Sequence, residues 1–433
     1  MATMTEATLQ KTSTKKSRTF AALEVRDFQF LWVSSLAASF GMQMQMVARG
    51  WLIYDMTQSP MALTWVMLSF MLPTLLFSLA GGVMADRLTK KPLILVTQAL
   101  TTVATFSLGY IIYKGEVDFW HFIYIGFLNG TLMALSMPAR TALVPEIMDR
   151  EDLVNAMALQ SATFNLARIL GPALAGVLIA FFASGDTTST YGVGVVFFII
   201  TAMYAISLIS TAMLNHQGAP SKRLASSSAL EDTQEGLTYM IEDRLMLGLM
   251  LIGLIPFMFG MVSVFLLPAF NQDILNGGPD SLGLLMTASG TDAFLGSMIL
   301  ARLGDFGGKG QFMFRASYLW ALSLGVLSIT TSLDLALVAC ALTGLFGTLL
   351  GSLHMSVVQL VVKEEFRGRI MSILMMTFGL MPLGIMPMSA LAEYIGIDVA
   401  FIASAALLAM SMVALDRFYP ELKRINKGHG QEA

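Results

Sequence analysis

The chain has 433 residues, 55% of them hydrophobic and only 13% charged, with 33 Met and 28 Phe. That composition is too apolar for a soluble domain and implies a polytopic membrane protein. A formal net charge of -3 supplies no basic surface for DNA or RNA, and the single cysteine, Cys340, can build neither an intrachain disulfide nor a Cys-rich metal site.

In chain order, a polar tail at 1–27, rich in Lys, Ser and Thr, has no cleavable-signal pattern and is expected to stay cytoplasmic. Six apolar runs follow at 28–54, 61–85, 92–113, 119–135, 153–182 and 191–214. Most match or exceed the ~20 residues that cross a bilayer as a helix, and they lack the strict alternation of barrel strands. The polar stretch 215–244 reads GAPSKRLASSS and then ALEDTQEGLTYMIEDR, a flexible linker leading into a surface amphipathic helix. Six more runs lie at 245–270, 282–303, 312–331, 333–362, 370–395 and 399–418, before a tail at 419–433. The expectation is an all-α membrane protein of twelve transmembrane helices in two pseudo-symmetric six-helix bundles, 28–214 and 245–418.

Two patterns support that division. Asp86 and Glu146 are 60 positions apart, and Asp305 and Glu364 in the second half are 59 apart, which suggests a duplicated six-helix unit. All but three of the 26 Lys and Arg fall in the two tails or in alternate loops, Arg140 and Arg150 being assigned to the loop after the fourth span. The exceptions are Lys114, in a loop of the opposite side, and Arg49 and Arg168, within spans. This bias predicts that both termini are cytoplasmic.

Polar groups inside the spans are the candidates for function. Asp292, in MTASGTDAFLGS, is the one acid clearly at the centre of a run. A carboxylate there must be paired, hydrated or protonated, which is the behaviour of a proton carrier. Ser35, Ser39, Met42, Met46 and Arg49 recur at helical spacing and share one face of the first helix, expected to line a cavity. Arg49 either attracts an anionic group or snorkels to the interface beside Trp51. Asn129, Phe257, Met261, His354 and Gln359 complete the expected lining. For His354, a bond to a neighbouring helix is favoured over a proton relay.

Enzymatic and ATP-driven readings fail on motif grounds. GDFGGKG lacks the spacing and the Ser/Thr of a phosphate loop. Asp292 and Asp305 are separated by about 20 Å of helix at 1.5 Å per residue, so they form no protease dyad. No H-E-x-x-H occurs, and His121, His216, His354 and His429 suggest neither a zinc site nor a hydrolase triad. No cofactor is expected.

The stretch GGVMADRLTKK resembles the loop signature of the major facilitator superfamily, with Gly82, Asp86, Arg87, Lys90 and Lys91 matching and Thr89 replacing the usual glycine. The stretches GWLIYDMTQSP, PARTALVPEIMDREDLVNAMALQSATFNLARILGPALAG and QLVVKEEFRGRIMSILMM are similar to the branch containing enterobactin exporters and macrolide efflux proteins. The resemblance implies a cytoplasmic gate in which Asp86 meets the start of helix 11 near Arg367 and Arg369, and Asp305 meets the start of helix 5 near Arg150. It also implies that helices 5 and 8 face each other, which brings Arg168 towards Asp292 as a coupling pair, a substrate contact or a static ion pair. The function so implied is secondary transport: a monomeric, ATP-independent exporter of small amphipathic molecules, drug-like or siderophore-like, exchanging them for protons across the inner membrane. Lipid or lysolipid movement, or a non-transporting sensor on the same fold, are the alternatives.

Overall fold

The computed structural model describes residues 21–183, 190–220, 229–304, 306–363 and 366–425. A short 3-10 turn, Ala21–Glu24, leads into six uninterrupted helices: α1 (Arg26–Thr57), α2 (Pro60–Arg87), α3 (Lys90–Lys114), α4 (Phe119–Ile147), α5 (Leu153–Ala183) and α6 (Thr190–Ala212). Local chemistry sets their ends. Ser59 caps α2, its hydroxyl accepting from the Ala62 N–H at 3.1 Å, with Pro60 in the first turn where no N–H is needed. Gly115 ends α3 in the left-handed conformation at φ 73°, and Asp118 with His121 forms a capping box at the start of α4.

After the linker helix α7 (Ala229–Glu242) the pattern changes. The seventh span is broken at Met261 into α8 (Arg244–Gly260) and α9 (Val262–Asp273), and the eighth at Thr291 into α10 (Pro279–Gly290) and α11 (Asp292–Leu303). Next come α12 (Lys309–Ser328) and α13 (Leu333–Val361). The eleventh span is α14 (Arg367–Thr377) and α15 (Pro382–Tyr394), joined through a 3-10 turn, Phe378–Leu380; α16 (Ile397–Phe418) is last. These breaks divide three of the expected spans into shorter helices. Each falls where glycine, with or without a nearby proline, weakens the backbone ladder, at Gly260, Gly290, and Gly379 with Pro382.

Eight helical spans among the described residues are long and apolar enough to cross a membrane. With α1, α10–α11, α12 and α14–α15 they account for twelve crossings. Large apolar side chains such as Phe181 (72% exposed) and Leu322 (64%) lie on the outside, where lipid replaces water as solvent. Tyr113, Tyr191, Trp120 and Tyr124 group at the ends of α3, α4 and α6, in the manner of an interfacial aromatic belt. Inside, polar groups are paired between helices: Ser34 of α1 bonds Ser207 and Thr211 of α6 at 2.9 and 2.8 Å, and Gln98 of α3 donates to Ser207 at 2.7 Å.

Alternating helix direction puts the start of α1 and the end of α16 on one face, here termed the terminal face; the opposite one is the distal face. The first six helices meet the later ones most closely along α5 and α10. A Cβ on Gly176 would stand 2.4 Å from the Pro279 carbonyl oxygen, and one on Gly283 2.6 Å from that of Pro172, so only glycine permits this approach.

Candidate functional site: the seam between the two sets of helices

Hydrogen bonds described between the two sets of helices run from mid-membrane to the distal face. The Tyr54 hydroxyl donates to Asp273 Oδ2 at 2.5 Å. Glu393 of α15 accepts at Oε2 from the Ser59 hydroxyl at 2.5 Å and the Met61 N–H at 2.9 Å, placing a carboxylate on the exposed N-terminus of α2. Thr64 and Ser389 share a hydroxyl–hydroxyl bond of 2.5 Å one turn deeper. The molecule is therefore clasped shut distally. Sequence reasoning missed this clasp, because it joins ordinary residues as much as 334 positions apart.

At the terminal face, Asp86 and Arg87 are exposed and no ion pair of theirs is described among the described residues. Gly82 is part-buried in open surroundings, and Arg150 and Arg367 are exposed. Arg369 pairs instead with Glu235 of α7 at 2.8 Å, beside a parallel stack of Tyr239 on Phe366 with centroids 4.3 Å apart. Asp305 lies outside the described residues. The signature lysines act within the first half. Lys90, only 3% exposed, pairs with Glu146 at 2.6 Å and donates to the Ala219 carbonyl, while Lys91 Nζ donates to the Leu214 carbonyl at 2.6 Å. His216 reaches the same Glu146 at 3.2 Å. In this conformation the loop signature fastens α3, the end of α4 and the start of the linker to one another.

Near mid-membrane, Asp292 is the first residue of α11, at the break in the eighth span; its side chain lies outside the described residues. Arg168 of α5 donates through Nη2 to the Gly290 carbonyl at 3.5 Å, two residues before Asp292, so the fold brings Arg168 to this break. Thr287 reinforces the junction by donating to the Ile169 carbonyl at 2.9 Å.

The remaining expected lining divides in two. Met46 and Arg49 of α1 border a small cavity of about 10 Å³, closed on its other side by Phe265 and Pro268 of α9 and Met286 of α10. Phe257 and His354 border a second, of about 40 Å³, with Met355 and Met381. Arg49 does not reach an interface. It is 9% exposed and lies over the Phe70 ring at 5.9 Å, a cation–π contact inside the first half. His354 shares a 2.8 Å bond with the Leu249 carbonyl, and its ring fills the space a side chain on Gly253 would take, matching the favoured expectation of a bond to a neighbouring helix. Phe257 meets Trp320 edge-on at 5.4 Å, and Met261 sits at the break between α8 and α9. Met42 is part-buried and Gln359 exposed; Asn129 is buried, its Oδ1 without a partner.

Arg140 requires a correction. The fourth apolar run ends at Leu135, which leaves Arg140 in the loop that follows. Membrane helices tolerate proline, and α4 runs through Pro138 and Pro145 to Ile147, carrying Arg140 inside it. Tyr204 of α6 lies within electrostatic reach of both Arg49 and Arg140 and donates to Gln45 Oε1 at 3.1 Å.

A twelve-crossing helical chain with a polar seam, clasped at one face, defines a membrane transporter of the major facilitator fold. Its residues 17–428 match the model of the transmembrane secretion effector family, and the chain belongs to that family. It is 24% identical over 389 residues to the staphyloferrin A transporter of Staphylococcus aureus (strain NCTC 8325 / PS 47), covering 89% of this chain and 94% of that protein. To the multidrug efflux pump Tap of Mycolicibacterium fortuitum it is 23% identical over 404 residues, 91% and 95% of the two chains. A solved structure of a mutant of the nucleoside transporter NupG superposes with a TM-score of 0.74 at 12% identity, covering 91% of this chain and all of that one. The resemblance read from the loop signature is thus borne out at the level of family, and a transporter rather than an enzyme is what its relatives are.

Proposed function

We propose that the chain is a proton-coupled exporter that moves small amphipathic molecules, drug-like or siderophore-like, by alternating access. It sits in the inner membrane with its terminal face in the cytoplasm, working as a monomer without ATP. The observation that carries this reading is the one-sided seam: a distal hydrogen-bonded clasp, Tyr54 with Asp273 and Ser59 with Glu393, opposite an Asp86 that stands exposed. Both features support a carrier whose terminal, cytoplasmic side is the open one. In the opposite state the clasp parts and Asp86 and Asp305 engage the helix starts near Arg367, Arg369 and Arg150, the bundles 28–214 and 245–418 rocking about the α5–α10 contact. Asp292, at a helix break beside Arg168, is the proton carrier. Removing water from a carboxylate disfavours its charged form, whereas the arginine favours it, so a change of surroundings between states loads or unloads the proton.

The names of the relatives, a siderophore transporter and a multidrug pump, support the substrate range. The test is accumulation of dyes, antibiotics and siderophores in efflux-deficient cells expressing wild type or Asp292→Asn, with and without a protonophore. Protonophore-sensitive efflux by wild type, lost in the variant at equal membrane expression, is expected. Undiminished efflux by the variant would remove Asp292 from coupling.

A further inference from the structure

Arg49 and Arg140 lie on helices of the first bundle, and among the described residues no carboxylate balances either. Among the described residues neither guanidinium has an ion pair or hydrogen bond; Arg49 lies over the Phe70 ring, and Tyr204 is within electrostatic reach of both. Positive charge in a membrane interior is retained where it has a counter-charge or a function. α1 runs towards the distal face and α4 away from it, and a side chain leans back towards the start of its own helix, so Arg49 leans towards the terminal face and Arg140 towards the distal one.

The polar group within reach of both is arranged as a set of donors. Tyr204 gives its proton to Gln45 Oε1 at 3.1 Å, which turns the Gln45 amide nitrogen outwards, and that nitrogen is buried with no partner in a residue only 6% exposed. Two guanidinium forks and an unsatisfied amide N–H offer many donors, with the charge appropriate to an acid group. Met46, Phe265 and Met286 line the narrow gap beside Arg49 and would offer a hydrocarbon body an apolar surface once the seam parts.

We propose that Arg49, Arg140 and Gln45, gathered around Tyr204, form an anion subsite, so that the transported molecule is an amphipathic acid held by its carboxylate or a group of similar charge. This deepens the exporter reading and rests on it for the word transported; the binding itself can be measured alone. An anionic lipid headgroup offers the same chemistry, so the experiment must separate it from a soluble acid.

The protein in phosphatidylcholine nanodiscs is titrated with three probes of one shape, 1-pyrenebutyrate, its uncharged amide and 1-pyrenebutylamine, followed by fluorescence. At least tenfold tighter binding of the carboxylate is expected, falling about tenfold or more in Arg49→Gln and Arg140→Gln and partly regained in Arg49→Lys. The wild-type series decides even where a variant does not fold. Equal affinity for the three probes, no binding of the carboxylate, or folded Gln variants that bind as wild type does would overturn the subsite. Repeating the titration with phosphatidylglycerol in the disc identifies the source: competition marks a lipid headgroup, and its absence a soluble acid. Arginine-independent efflux in cells would sink the subsite and spare the exporter, whereas arginine-dependent binding without efflux would do the reverse.

Discussion

Lys90 shows how one side chain can carry a meaning the family signature does not give. The resemblance made it part of a gate charge cluster, yet it is nearly sealed and held by Glu146 and the Ala219 carbonyl within its own half. Removing one member of a buried pair leaves the other uncompensated, but Glu146 remains 30% exposed, so the expected loss is nearer about 1–3 kcal/mol than the larger figures for sealed pairs. Lys90→Met should therefore lower the melting temperature in detergent, and Glu146→Gln should lower it less; equal melting of all three proteins would deny the pair a structural role. The distal clasp is readable in the same way. Glu393→Ala removes two bonds to an ionised acceptor at an exposed site, worth about 1 kcal/mol together. Spin labels across the distal face should report a population of the parted state raised roughly fivefold; an unchanged distance distribution would show that the clasp does not hold the seam.

Among elements, the twelve crossings were legible because apolar runs and Lys/Arg bias are local properties of a chain. The breaks at Met261, Thr291 and Phe378–Leu380 were not, since hydrophobicity continues across each of them. Arg140 was misplaced because the apolar run ends at Leu135, whereas α4 continues through Pro138 and Pro145 to Ile147. The Arg168 junction was found only through resemblance, and the clasp, built from pairs far apart in sequence, gave no local signal at all. The α5–α10 contact is where a single substitution should act on a whole element. Gly176→Val places atoms where the Pro279 carbonyl lies, and overpacking of this kind costs about 1–3 kcal/mol. Distal closure should weaken and transport fall while membrane expression holds. Normal transport by this variant would mean that α5 and α10 need not approach so closely during the cycle.

At the scale of the molecule, six unbroken helices stand against a second set in which three spans are interrupted near mid-membrane. The unbroken set holds Arg49 and Arg140, and the interrupted set holds the backbone breaks and Asp292, so the proposed roles of substrate charge and proton handling would fall to different halves across one seam. The coupling we propose would need no long pathway, because Arg168 reaches the Gly290 carbonyl at the break where α11 begins with Asp292. The most direct test is proton movement itself. Purified protein in vesicles loaded with a trapped pH dye would be given a substrate identified by the efflux panel, without any imposed gradient. The account predicts substrate-dependent proton counterflow in wild type and none in Asp292→Asn, although the variant still binds substrate. Substrate uptake with no proton movement, or counterflow intact in the variant, would contradict it.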